Sequence, residues 1–583
     1  MSTTFEHDIV TGAEAPSGVV SQLDVAHSHH LPVVAQIGAR PVMPDRRINR
    51  TVVLVAPEFL GAADEIERVR TTLRSARGEV RALVCVRGAG GLTLAAHLTE
   101  AGLPVDVLLA SDIEPGDDWP PHLSAAAVRM PSGSTPEEMN DFALALSDIV
   151  MTGPDRLADP DLISKAEDQR KPVIPAGDAL PALPVRHPDI AGWLHTGKRG
   201  WRILLCHASG RLEQFCLELS AFNWRGREEG GRKDSRERLL RCVSVGWKKN
   251  WPPYFASEQP HDDERNWRKL APDNKARDDT ALIVERFNSL DHSALYGAFF
   301  HRDLIWVAYF LSAFAVFDAV MGSLKYFAGG VGWPSAELVT LAGIVVIIAF
   351  LRATQLQDHW TSCRLAAEQL RIVRLCLPLF VVPSVLRSAD KASPGTPIYT
   401  MRALEEVKRT VRDQGIPRLR KDFSLAGAAA WLELIVADQA SYHETNERRL
   451  ERAEYRLHDW AAGLFLLAVL AVGTHYFHEV RWIAAVVPYL LILTAAGPAA
   501  AAALHGVRTR LGIVHRIALS RDTRLELAQI QEGLAKLKLN LANLPPERAW
   551  QEIRALALLA SNAMWLENTS WHNLVRREKD DIM

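Results

Sequence analysis

The chain has no pair of cysteines at redox or metal-ligand spacing. Cys85, Cys206, Cys216, Cys242, Cys363 and Cys376 are scattered, and no CxxC occurs. That excludes the common zinc modules and a disulfide framework, and points to reduced thiols in a cytosolic setting. Neither sign of charge is in excess: 67 Lys and Arg face 69 Asp and Glu, for a net charge of −2. General nucleic-acid binding is therefore not expected. There is no Walker loop, no GxSxG and no HExxH, so no catalytic residue is assigned and an enzyme is not expected. The first residues, MSTTFEHDIV, carry neither a basic patch nor an apolar core, so a signal peptide is not expected.

Long apolar runs are what the chain does have. Its apolar content, 48%, is ordinary for a soluble protein, so these residues are unevenly spread. Leu304–Leu324 (LIWVAYFLSAFAVFDAVMGSL) holds one charge, Asp318. At ~1.5 Å per residue, a helix of this length crosses a hydrocarbon core roughly 30 Å thick. A link with Gly329, Gly330, Gly332 and Pro334 leads to a second run at 333–351, which suggests a helical hairpin. Spans at 460–476 and 482–504 form a second one, and this repetition favours a membrane protein over a cytosolic core hairpin. In the fourth span Ala495, Gly497, Ala499, Ala501 and Ala503 allow close helix approach.

Residues 46–185 read differently. Thr51–Ala56 (TVVLVA), Val80–Val86, Val105–Ala110, Asp148–Met151 and Pro172–Ile174 have strand character, with helices at Ala62–Ser75, Thr93–Ala101, Glu137–Leu146 and Asp161–Gln169. Alternating strands and helices predict a doubly wound parallel sheet, Rossmann-like, with ligands at the carboxyl ends of its strands. Gly88, Gly90 and Gly91 lie at such an end, with Thr93 following. Glycines permit close backbone approach, and a helix N-terminus offers free N–H groups to a phosphate. A plain strand–helix turn has the same signature, and both readings stand. Ser111, Asp112 and Asp155 are candidates for a ribose or base. Asp155, Asp159 and Asp161 suit Mg²⁺ or a ribose, or simply helix capping.

Residues 1–45 are polar and read as a disordered tail; its His27, His29 and His30 lack acidic or thiolate partners for a metal. Residues 186–285 mix Trp193, Trp201, Trp224, Trp247, Trp251 and Trp267 with many Arg and Lys, a set that suits base stacking or a small core with a solvated rim. Residues 286–583 read as the four-span module with helical stalks. An amphipathic helix over Arg277–His301 enters the first span, and the second continues outward through Arg364, Glu368, Arg371 and Arg374. Leu527, Ile530, Leu534, Leu537, Leu541 and Leu544 form a short heptad seam, fit to pack on the same chain or on another subunit. A last helix runs over Trp550–Val575. Arg302, Arg352, Arg452, Arg456, Arg508, Arg510 and Arg516 flank the hairpins, while their short links hold only Lys325 and Arg481. The positive-inside rule then puts both termini in the cytoplasm. Asp318, costly in lipid, suits a pore, a proton path or an interhelical hydrogen bond.

The Val80–Val86 strand, the Gly88–Gly91 turn and the Thr93 helix resemble the SLOG superfamily, Rossmann-like domains akin to the LOG proteins. Asp291–Arg302, the Arg364, Glu368, Arg371 stalk and Gln439–His443 resemble the SLATT transmembrane modules often joined to them. Where the SLOG pattern has a second Gly-rich element, this chain has Thr152-Gly153-Pro154-Asp155. The resemblance implies a nucleotide-sensing, multi-pass effector of the bacterial inner membrane, in anti-phage defence, whose Rossmann-like domain gates or perturbs the transmembrane bundle. It implies a homo-oligomer whose partners are membrane lipid and a nucleotide-derived signal, with no cofactor besides that ligand. LOG-type nucleotide hydrolysis and a purely structural membrane role are the alternatives.

Overall fold

The fold is taken from a computed structural model, which describes residues 50–56, 63–75, 79–113, 127–153, 159–181, 280–324, 332–387, 398–415, 424–475 and 481–580. The N-terminal tail with its histidines, the Trp- and Arg-rich stretch up to residue 279, Asp155 and residues 388–397 lie outside them.

Among the described residues six strands form one parallel sheet: β1 (Arg50–Val55), β2 (Glu79–Val86), β3 (Val105–Leu109), β4 (Ala127–Arg129), β5 (Ile149–Thr152) and β6 (Val173–Pro175). Their order is β4-β3-β2-β1-β5-β6. Helices α1 (Ala63–Arg74), α2 (Ala89–Glu100), α3 (Pro136–Leu146) and α4 (Pro160–Asp168) link the strands. The predicted doubly wound sheet is thus present, with one strand more than expected. The extra strand, β4, has only three residues and no periodicity to betray it.

Successive side chains of a strand face opposite sides, and here the two sides have different covers. Val53, Val55, Val84, Val86, Val107 and Leu109 pack with Ile66, Val69 and Leu73 of α1 and Leu94, Ala95 and Leu98 of α2. Val52, Leu54, Leu83, Cys85 and Leu108 pack with Met139 and Phe142 of α3 and Leu162 of α4. That second cluster continues into the C-terminal half, through Ile283, Phe287 and Leu290, then Cys363, Ala366 and Leu370, then Ala403, Val407 and Val411. The sheet and the C-terminal helices therefore share one hydrophobic core.

The C-terminal half is helical: α5 (Ala281–Ser323), α6 (Gly332–Thr354), α7 (Leu356–Cys376), the single turn α8 (Ser384–Arg387), α9 (Ile398–Gln414), α10 (Leu425–His475), α11 (Arg481–Arg510), α12 (Ile513–Asn540) and α13 (Pro546–Asp580). The amphipathic helix and the first apolar run are one element, the 43-residue α5. The second run does not continue smoothly into its stalk. Gln355, at φ 47°, separates α6 from α7, and Gly512, at φ 56°, separates α11 from α12. Among the described residues, four helices are long and apolar enough to cross a membrane; their apolar windows fall in Phe300–Ser323, Gly332–Thr354, Leu425–Thr474 and Tyr489–Asn540. Leu338, Val339, Val345, Val346, Phe465 and Leu466 are all more than half exposed on them, as side chains facing lipid would be. A Cβ on Gly497 would lie 3.3 Å from Ala468, so the small-residue run does let α11 close on α10. The heptad residues Leu527, Ile530, Leu534 and Leu537 are buried within this chain, against Ile435 of α10 and Ile553 and Ala557 of α13.

One ion pair ties α9 to the sheet, and the end of α9 lies close to a second one within the sheet. Arg412 donates to Asp148 Oδ1 at 2.6 Å, while Asp148 Oδ2 accepts the Val52 N–H at 2.9 Å. At the end of α9, a Cβ on Gly415 (φ +72°) would lie 3.0 Å from Arg81 Nη1, itself paired with Asp106 at 2.9 Å.

Candidate functional site

In a parallel sheet the chain order reverses at one point, here between β1 and β5, and ligands favour the crevice at the carboxyl ends there. Next to it stands the end of β2. Helix α2 begins at Ala89, four residues earlier than the sequence suggests, so Gly90 and Gly91 lie in its first turn and Gly88 is its N-cap. Gly88 is extended (φ −175°) and makes no side-chain cap. A Cβ there would meet nothing within 4 Å among the described residues. Gly91 serves packing: its Cβ would lie 3.3 Å from Cys85 O and Val86 Cα, so glycine lets α2 close on β2. Thr93 donates its hydroxyl to Ala89 O at 3.0 Å, committing it to its own helix.

The same end of the sheet gathers Ser111 and Asp112, just beyond β3. Ser111 is half-buried, with its hydroxyl 3.5 Å from Ser134 O and its carbonyl accepting Arg129 Nε at 2.8 Å. Asp112 is exposed. Asp159 caps α4, accepting the Asp161 N–H at 3.0 Å, and Asp161 pairs with Lys165 at 2.9 Å, so these two acids follow the capping reading. Burial opposes the charge of Lys165, but Glu137, Asp161 and Asp141 around it raise its pKa above the ordinary lysine range. This trio fastens α3 to α4.

Arg87, not among the residues the glycine motif points to, immediately precedes Gly88. Its Nη2 donates to Asn140 Oδ1 at 2.6 Å and to Pro136 O at 3.0 Å. Its Nε is buried with no partner among the described residues. Asn140 in turn donates to Asp159 at 3.2 Å. The signal was adjacency: a cation one residue before a glycine turn.

A second cluster sits where α5, α7, α10 and α13 meet. Arg364 pairs with Asp291 at 2.9 Å and with Glu368 at 2.5 Å, and Arg371 reaches Glu368 at 2.8 Å. Arg371 also lies over the Phe287 ring, 5.1 Å from its centroid. Burial disfavours the Glu368 charge, yet Arg364 and Arg371 hold its carboxyl below the usual range. Burial lowers His443 to about 4, with Glu368 opposing and the two arginines assisting. Burial and Glu368 together push Glu567 up to about 7. The three stretches singled out as SLATT-like thus converge here, joined by Glu567 from the C-terminal helix.

Within the first hairpin Asp318 is 1% exposed and its Oδ2 accepts from Thr340 Oγ1 at 3.1 Å. An open cleft of about 470 Å³ beside this pair is lined by Ser312, Ser323, Glu337 and Leu341. No group of three His, Cys, Asp or Glu side chains placed to hold a metal occurs among the described residues.

No family model matches the chain, and no curated protein or solved structure proves similar to it. Its chemistry is therefore read from the two clusters themselves. The first places a helix N-terminus beside a guanidinium, a pairing that suits an anion. The second is a buried set of paired charges, suited to holding helices in register.

Proposed function

We propose that this protein is a membrane effector in which the sheet domain binds a nucleotide-derived ligand and thereby changes the state of a four-span helical bundle. The spans lie in the bacterial inner membrane with both termini cytoplasmic, and the stalk helices stand in the cytosol beside the sheet. Gly88, Gly90 and Gly91 receive a phosphate on the first turn of α2. Arg87 supplies the charge, and Ser111 and Asp112 face the rest of the nucleotide; Asp155, the third candidate, lies outside the described residues. Asp318 holds the first hairpin together through Thr340. The resemblance to SLOG and SLATT proteins, and with it a role in anti-phage defence as a homo-oligomer, belongs to the same proposal.

The observation that carries it is the shared core: Val407 and Val411 of α9 pack in one cluster with sheet residues and with α5 and α7, the helices adjoining the first hairpin. A domain so embedded cannot move without disturbing them. A ligand shifts such a system only by binding its two states unequally. The test is dye release from vesicles carrying the purified protein, with AMP, ADP and cyclic nucleotides added in turn and binding followed by calorimetry. Release that depends on a bound nucleotide supports the proposal. Vesicles that stay sealed while nothing binds would dispose of it.

A further inference from the structure

Helix α13 touches both ends of this machine. It is a single helix of 35 residues. Near its start, a Cβ on Gly133 (φ +78°) would come within 2.9 Å of Glu547 Cβ. Two turns on, Arg554 Nη1 donates to Glu138 Oε2 at 2.9 Å and approaches Ser134 Oγ at 3.5 Å. Its Nη2 reaches Phe380 O at 3.4 Å, and the Phe380 ring packs on Phe142 of α3 with centroids 5.2 Å apart. Glu138 Oε2 also accepts the Thr135 N–H at 3.0 Å, closing the capping box that starts α3. That same turn of α3 holds Arg87 through Pro136 O and Asn140. Arg554 thus grips the first turn of the helix that restrains the cation beside Gly88.

At its other end α13 meets the beginning of the membrane hairpin. Gln357 Nε2 donates to Val575 O at 2.7 Å. Trp571 stands edge-on to Trp360, 5.3 Å between centroids, and Arg302 of α5 lies 5.7 Å from the Trp360 centroid. A Cβ on Gly297 would fall 2.6 Å from Trp360 Cβ, so α5 and α7 have no slack at this level. Val575 packs with Phe300 and Leu356. From Arg554 to Val575 is a rise of roughly 30 Å at ~1.5 Å per residue.

We propose that α13 is a coupling rod: a change in the first turn of α3, sensed through Arg554 and Glu547, is delivered to the Trp360–Trp571 contact at the mouth of the first hairpin. The direction of signalling rests on the sensing function proposed above. The mechanical link does not, because coupling between two ends of one element is reciprocal and exists without ligand. An anion that draws Arg87 from Asn140 and Pro136 frees the start of α3, and the grip of Arg554 on Glu138 changes with it.

Hydrogen exchange of the full-length protein in detergent tests the link directly. Arg554→Gln removes the charge, and Glu138→Gln does so while keeping a side chain able to close the capping box. Losing one charge-assisted hydrogen bond gives on the order of tenfold faster exchange over residues 136–146. The proposal adds faster exchange at the far end, over residues 356–362 and 571–575, by about threefold or more for a partly transmitted change. The reciprocal variant, Gln357→Ala, speeds exchange over 136–146. Glu552→Gln, exposed on the same helix, leaves both ends as in the parent. If Arg554→Gln and Glu138→Gln loosen only the α3 end, and Gln357→Ala only the hairpin end, α13 is not a rod. A second arm uses AMP and vesicles of phosphatidylethanolamine and phosphatidylglycerol: Arg554→Gln keeps AMP binding but loses AMP-dependent dye release. AMP that fails to bind the parent protein counts against the sensing site, whereas the exchange result still decides the rod.

Discussion

Two titrating groups in the buried charge cluster oppose each other, and removing either one exposes the other. His443 is 4% exposed and held at about 4, so between pH 4 and 6.5 the unfolded chain binds a proton there that the folded one refuses. Stability from this group is lost as pH falls through that window. Glu567, held at about 7, does the reverse: between its ordinary value of 4.5 and 7 the folded state keeps a proton that the unfolded one releases. Its contribution is fully present below pH 4.5 and lost as pH rises to 7. Each displacement, from 6.5 down to about 4 and from 4.5 up to about 7, corresponds to about 3 kcal/mol at ~1.4 kcal/mol per unit. Both groups face Glu368, Arg364 and Arg371. Between pH 4.5 and 6.5 the two slopes cancel, so this cluster leaves the native protein nearly flat there. Glu567→Gln unmasks histidine, and stability then climbs with pH by about 3 kcal/mol. His443→Gln unmasks the acid, and stability falls by a similar amount. At roughly 2–4 °C per kcal/mol, the melting midpoint in detergent, taken relative to the parent at each pH, shifts by about 6–12 °C across the window, with opposite signs for the two variants. Difference curves of the same sign, or flat ones, would refute the assignment of these two groups to one buried cluster.

Arg412→Met strands Asp148, whose side chain is 3% exposed, and costs about 3–5 kcal/mol, seen as a lower melting midpoint. Adding Asp148→Asn recovers part of this loss. Gly88→Asp places a negative charge where nothing crowds it, so the nucleotide binding proposed above falls on the order of tenfold or more while the melting midpoint holds. Gly91→Val instead drives α2 off β2 and destabilises by about 1–3 kcal/mol, visible in the same melt. Thr340→Val leaves Asp318 without its donor, costing about 1–2 kcal/mol in thermal stability, which Asp318→Leu in the same chain recovers.

The sheet was legible because TVVLVA and its counterparts are short apolar runs set between helical periods. The apolar helices were legible from length alone. β4 escaped because Ala127–Arg129 is too short to show a period. α9 should have been found: Ala403, Val407 and Val411 recur every four residues and all are 0% exposed. The break at Gln355 had no local mark, since a left-handed residue there is neither glycine nor asparagine. At the candidate site the glycines were visible, but the partners of Arg87 lie about fifty residues on, and the grip of Arg554 on Glu138 joins positions 416 apart. Contacts of that range leave no periodicity in the chain; only the folded arrangement discloses them.

The pairing of Asp148 with Arg412 bridges 264 residues. At about 5–20 residues per second of synthesis, the ribosome needs roughly a quarter of a minute to a minute to make that stretch. During this delay the Val52, Leu54 and Cys85 side of the sheet waits without Val407 and Val411, while the Leu304–Leu351 hairpin has already left the exit tunnel. Under the proposed function, insertion of that hairpin into the bilayer therefore precedes completion of the sheet domain, and a fragment ending before Ile398 is born with an adhesive face.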